Sequence, residues 1–265
     1  MINHYNSYNY IINPKTNRKV KINGKIGKSI LKKYILFSLQ KGGKSIQNNG
    51  LKQEDLVTIY GSFLAPDKTE IDLDKINNNS NVNATYGTIT PNGINTLIQH
   101  LHINSKDVFL DLGAGIGNVV VQFALNTPIK KAIGIEYVGS RYQQALQYLI
   151  KAKNIYGNKL KNKTIDFINT DIYKLNSIGD ATIVFTCSTC FPDNLMDKIV
   201  DLCSNSPNLK YFISQKQLSD TGAVSCPHNE GCSGNLKYIG SLIVECSWNK
   251  ECEHHIYTNI GAKLK

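Results

Sequence analysis

One short segment limits the possible fold more than any other part of the chain: Val-Phe-Leu-Asp-Leu-Gly-Ala-Gly-Ile-Gly-Asn at residues 108–118. Its first five residues, Val108–Leu112, have the apolar character of a buried strand. Gly113, Gly115 and Gly117 follow, and a helical pattern begins directly after them. Glycines allow a tight turn and let a ligand approach the backbone at the helix N-terminus. The segment therefore predicts a strand–turn–helix unit with a ligand bound at the turn.

Strand and helix patterns alternate from this segment to the C-terminus. Further strands are predicted at 131–136, 164–169, 181–186 and 209–215, and helices at 117–126, 139–156 and 193–203. Two longer strands at 238–248 and 251–259 form a predicted hairpin joined at Asn249–Lys250. Such alternation predicts an α/β fold with a doubly wound sheet that binds its ligand at the carboxyl ends of the strands.

The net charge of +10 is concentrated at the N-terminal end. Residues 1–53 contain eleven Lys and Arg and no acidic residue, whereas residues 54–265 contain 19 basic and 20 acidic side chains. A basic segment on a nearly neutral body indicates a phosphate-rich or acidic partner for that segment. We therefore expect a basic arm at 1–50, a helical region at 51–105 and an α/β domain at 106–265.

Three helices are predicted ahead of the first strand of the α/β domain. The first occupies residues 28–40 in the arm and the second residues 51–64, because apolar residues recur there at helical spacing. An Asn-rich linker at 77–83 follows. The third helix begins at Pro91, with Thr90 as its N-cap.

Acidic residues stand at or just after the ends of three successive predicted strands: Asp111, Glu136 and Asp171. Asp111 would repel the pyrophosphate of a dinucleotide, but it favours the ammonium and sulfonium of S-adenosylmethionine. Glu136 is placed to accept hydrogen bonds from both ribose hydroxyls, and Asp171 from the adenine amine. Asn118 stands where the dinucleotide fingerprint requires Gly or Ala. The pattern predicts S-adenosylmethionine as the cofactor and disfavours an NAD oxidoreductase.

The cysteines indicate free thiols and no metal site. The chain has seven of them and no predicted signal peptide, which is typical of a reducing, intracellular compartment. Cys226 and Cys232, like Cys246 and Cys252, are separated by five residues, which is wider than a zinc knuckle. A structural zinc is the lesser alternative. The sequence contains no run of about 18 apolar residues, so no membrane-spanning helix is predicted.

Three segments resemble the disruptor-of-telomeric-silencing family, the histone-lysine methyltransferases that lack a SET domain. They are Tyr86-Gly-Thr-Ile-Thr-Pro91, the run Asp111–Ala124 with its Val-Val-x-Gln continuation, and Ser247-Trp248. The resemblance covers about residues 84–260. It implies a class I, Rossmann-like methyltransferase sheet with a terminal antiparallel hairpin behind a small helical N-terminal region. It also implies a histone or nucleosome substrate.

The resemblance assigns the cofactor site residue by residue. The residues it implies for S-adenosylmethionine binding are Tyr86, Gly87, Thr88, Ile89, Asp111, Gly113, Gly115, Gly117, Asn118, Glu136, Asp171 and Ile172. The first four would form a loop that closes over the methionine end of the cofactor. Thr88 stands where the family commonly has an acid.

On the acceptor side, the resemblance places Trp248 in the wall of the narrow channel through which a lysine reaches the methyl group. Phe191 is a second candidate wall. Burial in such a channel lowers the pKa of a lysine, whose amine must be neutral to react. The family often has an Asn after the fourth strand, where this chain has Cys187 or Ser188. These departures concern lysine selectivity and the number of methyl groups transferred.

The channel tyrosine of the family falls near His254 or His255, either of which is a candidate proton relay. Adjacent residues in a strand face opposite ways, so at most one of the two faces the site. A surface or hairpin position is the favoured interpretation for both.

We expect the basic arm to bind nucleosomal or other DNA. The predicted contacts are Lys15, Arg18, Lys19, Lys21, Lys25, Lys28, Lys32 and Lys33. Residues 13–24 also resemble a short basic element repeated in proteins of large DNA viruses, which indicates a viral origin. The expected location is then the nucleus or the viral factory of an infected cell. A solvated basic tail is the alternative.

Two other functions stay open at this point. One is a class I methyltransferase that acts on RNA or a small molecule. The other is a non-catalytic, DNA-binding viral protein with a vestigial methyltransferase body, against which the acids Asp111, Glu136 and Asp171 argue. Nothing in the sequence predicts the oligomeric state.

Overall fold

The computed structural model describes residues 10–12, 19–21, 24, 58–60, 87–218, 232–233 and 235–261. The chain separates into two compact units, residues 1–48 and 49–265. In the first unit, Tyr10–Ile12 (β1) pairs antiparallel with Lys19–Lys21 (β2), a hairpin that the sequence patterns did not predict. The predicted helix at 28–40 and the linker at 77–83 lie outside the described residues. Of the predicted helix at 51–64, the described residues 58–60 are helical.

The second unit contains an eight-stranded sheet. Its strands are Val108–Leu112 (β3), Lys131–Glu136 (β4), Thr164–Asn169 (β5), Ile183–Thr186 (β6), Tyr211–Ser214 (β7), Cys232–Ser233 (β8), Leu236–Val244 (β9) and Cys252–Asn259 (β10). The spatial order is β5-β4-β3-β6-β7-β10-β9-β8. Strands β3 to β7 are parallel, and β10 runs antiparallel to both β7 and β9. This is the sheet of a class I methyltransferase fold, as expected.

Helices cover both faces of the sheet. They are Pro91–His100 (α1), Asn118–Asn126 (α2), Gly139–Leu160 (α3) and Asp193–Ser204 (α4), with a short 3-10 helix at Ile172–Lys174. On one face, α1, α2 and α3 enclose an apolar cluster in which the rings of Phe109 and Phe123 stack 3.8 Å apart. On the other face, α4 packs on a second cluster that includes Phe212 and Tyr257.

Strands β3, β4 and β5 have the predicted bounds. The predicted helix at 139–156 continues to Leu160, but Tyr156, its expected last residue, has non-helical angles (φ −119°, ψ 25°). The helix predicted from Gly117 begins one residue later, since Gly117 has a φ of 82° and is its N-cap. Left-handed backbone of this kind favours glycine and cannot continue a helix.

The terminal hairpin differs most from its prediction. Strand β9 ends at Val244 rather than at residue 248, and the connection to β10 spans residues 245–251. The reason is a competing partner: Ile89 pairs with Cys246 as an antiparallel bridge, so these residues leave β10. A local pattern of apolar residues does not indicate which distant segment a strand end will pair with.

Gly117→Ala should destabilise the protein because the new Cβ would lie 2.4 Å from Phe167 Cζ while the backbone stays left-handed. We expect a loss of roughly 1–2 kcal/mol from the backbone and a further 1–3 kcal/mol from overpacking. Thermal or urea unfolding measures it. The control is Gly157→Ala in α3, where no atom of the described residues, apart from its chain neighbours and the backbone of its own helix, lies within 4 Å of the added Cβ. If Gly117→Ala has the same free energy of unfolding as the control, the left-handed N-cap of α2 does not require glycine.

Candidate functional site

The glycine turn lies between β3 and α2 and is held against the end of β4. The backbone N–H groups of Gly113 and Ala114 both donate to Ile135 O, at 2.9 and 2.8 Å. Gly113, Gly115 and Gly117 have φ angles of 89°, 55° and 82°. Because side chains disfavour these angles, the alternating glycines are a requirement of the turn. The turn thereby brings backbone to the carboxyl edge of the sheet, where a ligand can reach it.

Glu136, the last residue of β4, ties this turn in place. Its Oε2 accepts the Gly115 N–H at 2.7 Å and its Oε1 accepts the Val138 N–H at 2.8 Å. Burial raises the pKa of Glu136, although these two N–H donors and the positive charge of Arg141 counteract part of the shift. Each carboxylate oxygen has a further lone pair. Glu136 can therefore accept additional hydrogen bonds from a ligand such as a ribose diol.

Asp111 lies on β3, and its carboxylate is buried. The residue is 2% exposed, and within the described part of the chain its Oδ1 has no hydrogen-bond partner. Burial first, and then the negative charge of Glu136, raises the pKa of Asp111 well above its usual range. A buried carboxylate of this kind is stabilised by a cation. The ammonium of the predicted cofactor fits this position in charge and in hydrogen-bonding capacity.

Asp171 and Ile172 follow the end of β5, which neighbours β4 in the sheet. Asp171 caps the 3-10 helix, with its Oδ1 accepting the Tyr173 N–H at 3.0 Å. Ile172 is buried. Three acids thus stand in a row at the carboxyl ends of three adjacent strands, in the arrangement that the sequence predicts.

The predicted closing loop is described from Gly87 onward; Tyr86 lies outside the described residues. Gly87 lies against the ring of Trp248, since a Cβ at Gly87 would be 2.4 Å from Trp248 Cζ3. Thr90 caps α1, its Oγ1 accepting the Gly93 N–H at 3.2 Å as expected. Ile89 is fully buried. The loop is therefore packed on the hairpin connection and runs directly into α1.

Trp248 is 46% exposed and so presents part of its ring at the surface beside the loop. Phe191 occupies a different place: a Cβ at Gly113 would lie 2.7 Å from Phe191 Cζ. Phe191 therefore covers the glycine turn. The two aromatic side chains predicted to line one channel lie against different glycines of the site, Trp248 against Gly87 and Phe191 against Gly113.

Cys187 and Ser188 follow β6, and the structure distinguishes them. Ser188 is fully buried, lies 2.9 Å from Ser214 Oγ and accepts the Lys216 N–H at 3.0 Å. Its hydroxyl is thus engaged in holding two loops together. Cys187 donates to Gln215 Oε1 at 3.6 Å, and burial, followed by the charge of Asp111, raises the pKa of its thiol. Cys187 is a neutral thiol close to Asp111.

The sequence patterns missed the residues that hold the loop after β6. Lys216 donates through Nζ to Phe191 O at 2.5 Å and to Asp193 Oδ1 at 3.1 Å. Gln215 accepts from Cys187 and from Thr189. Their position just after a parallel strand is the signal that could have identified them, because loops at that edge form the ligand site.

Both histidines lie in the hairpin strand β10 as predicted, but the alternative of a surface position was wrong. His254 is 0% exposed and stacks on Phe185 with ring centroids 5.8 Å apart, while His255 is buried on the other face near Tyr238. Both are covered because β10 lies between β7 and β9 rather than at a sheet edge. Burial lowers the pKa of His254 to about 4. His254 is therefore neutral at physiological pH and cannot deliver a proton as imidazolium.

The remaining predicted residues are described only in part. Cys246 and Cys252 are buried free thiols, and Cys252 Sγ donates to Asn249 O at 3.6 Å, whereas Cys226 lies outside the described residues. In the described ranges, no group of three or more metal-ligating side chains comes together. Over the same residues no helix is both long and apolar enough to cross a membrane. Of the eight predicted DNA contacts, Lys19 and Lys21 are described, and both are exposed on β2.

Comparison with known proteins identifies a family. The model of the histone methylation protein DOT1 family matches residues 60–235. A histone-lysine N-methyltransferase specific for H3 lysine 79 from Caenorhabditis elegans is 35% identical over 121 residues, covering 43% of this chain and 13% of that protein. The Drosophila melanogaster protein of the same name is 27% identical over 173 residues, covering 58% of this chain and 9% of that protein.

This chain therefore matches only a small part of the length of these relatives. Among solved structures, an RNA methyltransferase from Salinibacter ruber in complex with S-adenosyl-L-homocysteine is 16% identical. It has a TM-score of 0.43, and the match covers 65% of this chain and 92% of that one.

Asp111→Asn should stabilise the empty protein while weakening the binding of the cofactor. Because the folded-state pKa of this acid is raised, its ionisation costs stability; the cost is absent below the unfolded pKa of about 3.9 and complete above the folded one. The variant should have a higher Tm at pH 7 and an unchanged Tm near pH 3. Loss of a charge-assisted hydrogen bond of about 1.5–3 kcal/mol should raise the cofactor Kd at least about tenfold.

The matched control is Asp166→Asn at an exposed position of β5, which should alter neither quantity. Denaturation at several pH values and calorimetry with S-adenosylmethionine provide the measurements. If the Asp111→Asn protein binds the cofactor as tightly as the wild type does, Asp111 is not part of the cofactor site.

Proposed function

The chain belongs to the DOT1 family of histone methylation proteins, and we propose that it transfers a methyl group from S-adenosylmethionine to a histone lysine. The observation that carries this proposal is the pair of buried acids at neighbouring strand ends. Asp111 has a carboxylate oxygen without a hydrogen-bond partner among the described residues, which suits an ammonium, and Glu136 presents lone pairs for a diol. The named activity of the relatives supports the same substrate class.

Each part of the site has a role in holding the cofactor. Asp111 would bind the ammonium of its methionine end, Glu136 would accept hydrogen bonds from its ribose hydroxyls, and Asp171 with Ile172 would flank its adenine. Phe191 covers the glycine turn and excludes water from that side. When bound, S-adenosylmethionine supplies a methyl carbon activated by a sulfonium.

The protein mainly aligns the reactants, which have to approach to about 3–3.5 Å in line. A lysine amine held in this geometry would react through its lone pair after its ammonium has lost one proton to solvent; the methylated product is again an ammonium, so one proton is released per transfer. Trp248 forms an apolar wall beside which the lysine loses its hydration, and this lowers the lysine pKa.

Neither His254 nor Cys187 is suited to accept that proton within the site. His254 is buried with a pKa of about 4, and its Nε2 has no partner among the described residues. The Cys187 thiol is neutral because burial raises its pKa. Deprotonation of the substrate therefore depends on desolvation, and the rate should rise with pH toward the pKa of the bound lysine.

Wild-type protein should transfer labelled methyl groups to histones or nucleosomes and not to RNA or DNA. Asp111→Asn should lower transfer at least about tenfold at subsaturating cofactor, in proportion to its weaker binding, and Asp166→Asn should not. Scintillation counting of the four substrates side by side, followed by mass spectrometry of the labelled lysine, provides the measurement. Label on RNA or DNA alone would instead support a nucleic-acid methyltransferase.

We further propose that the arm anchors the protein on nucleosomal DNA, which places it in the nucleus. The support is the charge of residues 1–53 and the exposure of Lys19 and Lys21 on β2. A viral origin, and with it a viral factory, stays a prediction from the basic element at 13–24.

The double variant Lys19→Gln, Lys21→Gln should bind DNA more weakly and with a shallower dependence on salt. The slope of log affinity against log salt should fall by about 0.9 for each phosphate that the variant no longer neutralises. Filter binding or fluorescence anisotropy over a salt series measures this slope. The matched control is Lys237→Gln, Lys250→Gln, which removes two exposed lysines of the second unit. Equal slopes for the two double variants would refute the anchoring role.

A further inference from the structure

Three segments of the site meet at one residue, Thr88, which is 4% exposed. Its Oγ1 accepts a hydrogen bond from Asn118 Nδ2 at 2.8 Å. Its backbone N–H donates to Ser247 Oγ at 3.2 Å, and its carbonyl accepts the Ser247 N–H at 2.8 Å. Thr88 therefore connects the first residue of α2, directly after the glycine turn, with the hairpin connection that carries Trp248.

The closing loop and the hairpin connection form one small antiparallel unit. Besides the Thr88–Ser247 pair, Ile89 bridges to Cys246 and the Thr90 N–H donates to Glu245 O at 2.9 Å. The backbone of Gly87 lies directly under the Trp248 ring. Since backbone pairing joins the loop to the hairpin, a displacement of Thr88 is transmitted to Trp248.

The link from Thr88 to the glycine turn is a single side-chain hydrogen bond. Asn118 is 3% exposed, so its amide requires a partner inside the protein. The Thr88 hydroxyl accepts that N–H and itself donates to Ile89 O at 3.4 Å. A valine would retain the shape of Thr88 while removing both bonds, and a serine would retain the hydroxyl.

We propose that Thr88 is a positioning residue that couples occupancy of the glycine turn to the placement of Trp248. In this coupling, a ligand bound at the turn changes the position of Asn118. The hydrogen bond from Asn118 passes this change to Thr88, and the pairing of Thr88 with Ser247 passes it to the hairpin connection and Trp248. The consequence for catalysis rests on the proposed function, because it assumes that Trp248 borders the acceptor lysine. The coupling itself concerns only the cofactor side and can be measured without an acceptor.

The test uses the intrinsic fluorescence of Trp248, the only tryptophan of the chain. Titration of the full-length wild type with S-adenosylhomocysteine should change the emission of this half-exposed ring. Thr88→Val should bind the same ligand, as measured by calorimetry, but lose most of the change in emission. Thr88→Ser should restore it. The control Thr96→Val, which removes a hydroxyl bonded within α1 to Asn92 O, should respond like wild type.

A second readout uses the transfer reaction. Thr88→Val should lower kcat by about 10- to 100-fold, the effect of a small misplacement of reacting groups, with a smaller change in the KM for S-adenosylmethionine. Thr88→Ser should recover most of kcat. A loss confined to the KM for the cofactor would make Thr88 a plain binding residue and overturn the proposal.

The fluorescence outcomes separate this inference from the proposed function. An unchanged emission in the wild type, or a full response in Thr88→Val, would overturn the coupling even if histones are methylated. The converse result is a protein that shows the expected emission changes and yet methylates no histone. That result would support the coupling and would reject histone as the substrate. If Thr88→Val fails to fold or to bind, Ser247→Ala decides: a reduced response supports the coupling, and a wild-type response overturns it.

Discussion

The hydrogen bond from Gly115 N–H to Glu136 Oε2, at 2.7 Å, is the contact on which the geometry of the cofactor side depends. It joins the tip of the glycine turn to the end of the neighbouring strand. The turn is thereby held open toward the carboxyl edge, and the following helix α2 starts at Asn118 in a defined place. The same carboxylate keeps lone pairs for a ligand, so one acidic side chain both builds the turn and serves the site.

The buried acids show a conflict between stability and binding. Burial raises the pKa of both Asp111 and Glu136, and the negative charge of Glu136 adds to the cost of ionising Asp111 in the empty protein. A cationic ligand beside Asp111 would offset that cost. Such a conflict is expected where function and stability compete for the same side chains.

The fold around the proposed cofactor site could be predicted from sequence because its signals are local. Strands β3 to β5, the glycine turn and the three acids lie within about sixty residues, and each acid is identified by its place after an apolar strand. The hairpin could not be predicted to the same degree. Val244 ends β9 because the next residues pair with Thr88–Thr90, more than 150 positions away. The burial of His254 and His255 was not predicted for a related reason: only the strand order buries β10 on both faces.

This division between local and distant contacts also separates the two halves of the reaction. The groups proposed to hold the cofactor come from consecutive strand ends. The groups proposed to lie around the acceptor come from three remote stretches: the loop after β6, the hairpin connection and the segment before α1. Under this proposal, replacements at Cys187 or Thr88 alter the acceptor side while Asp111 and Glu136 keep their places. Because Thr88 contacts both halves through Asn118 and Ser247, it is the position at which a change on one side reaches the other.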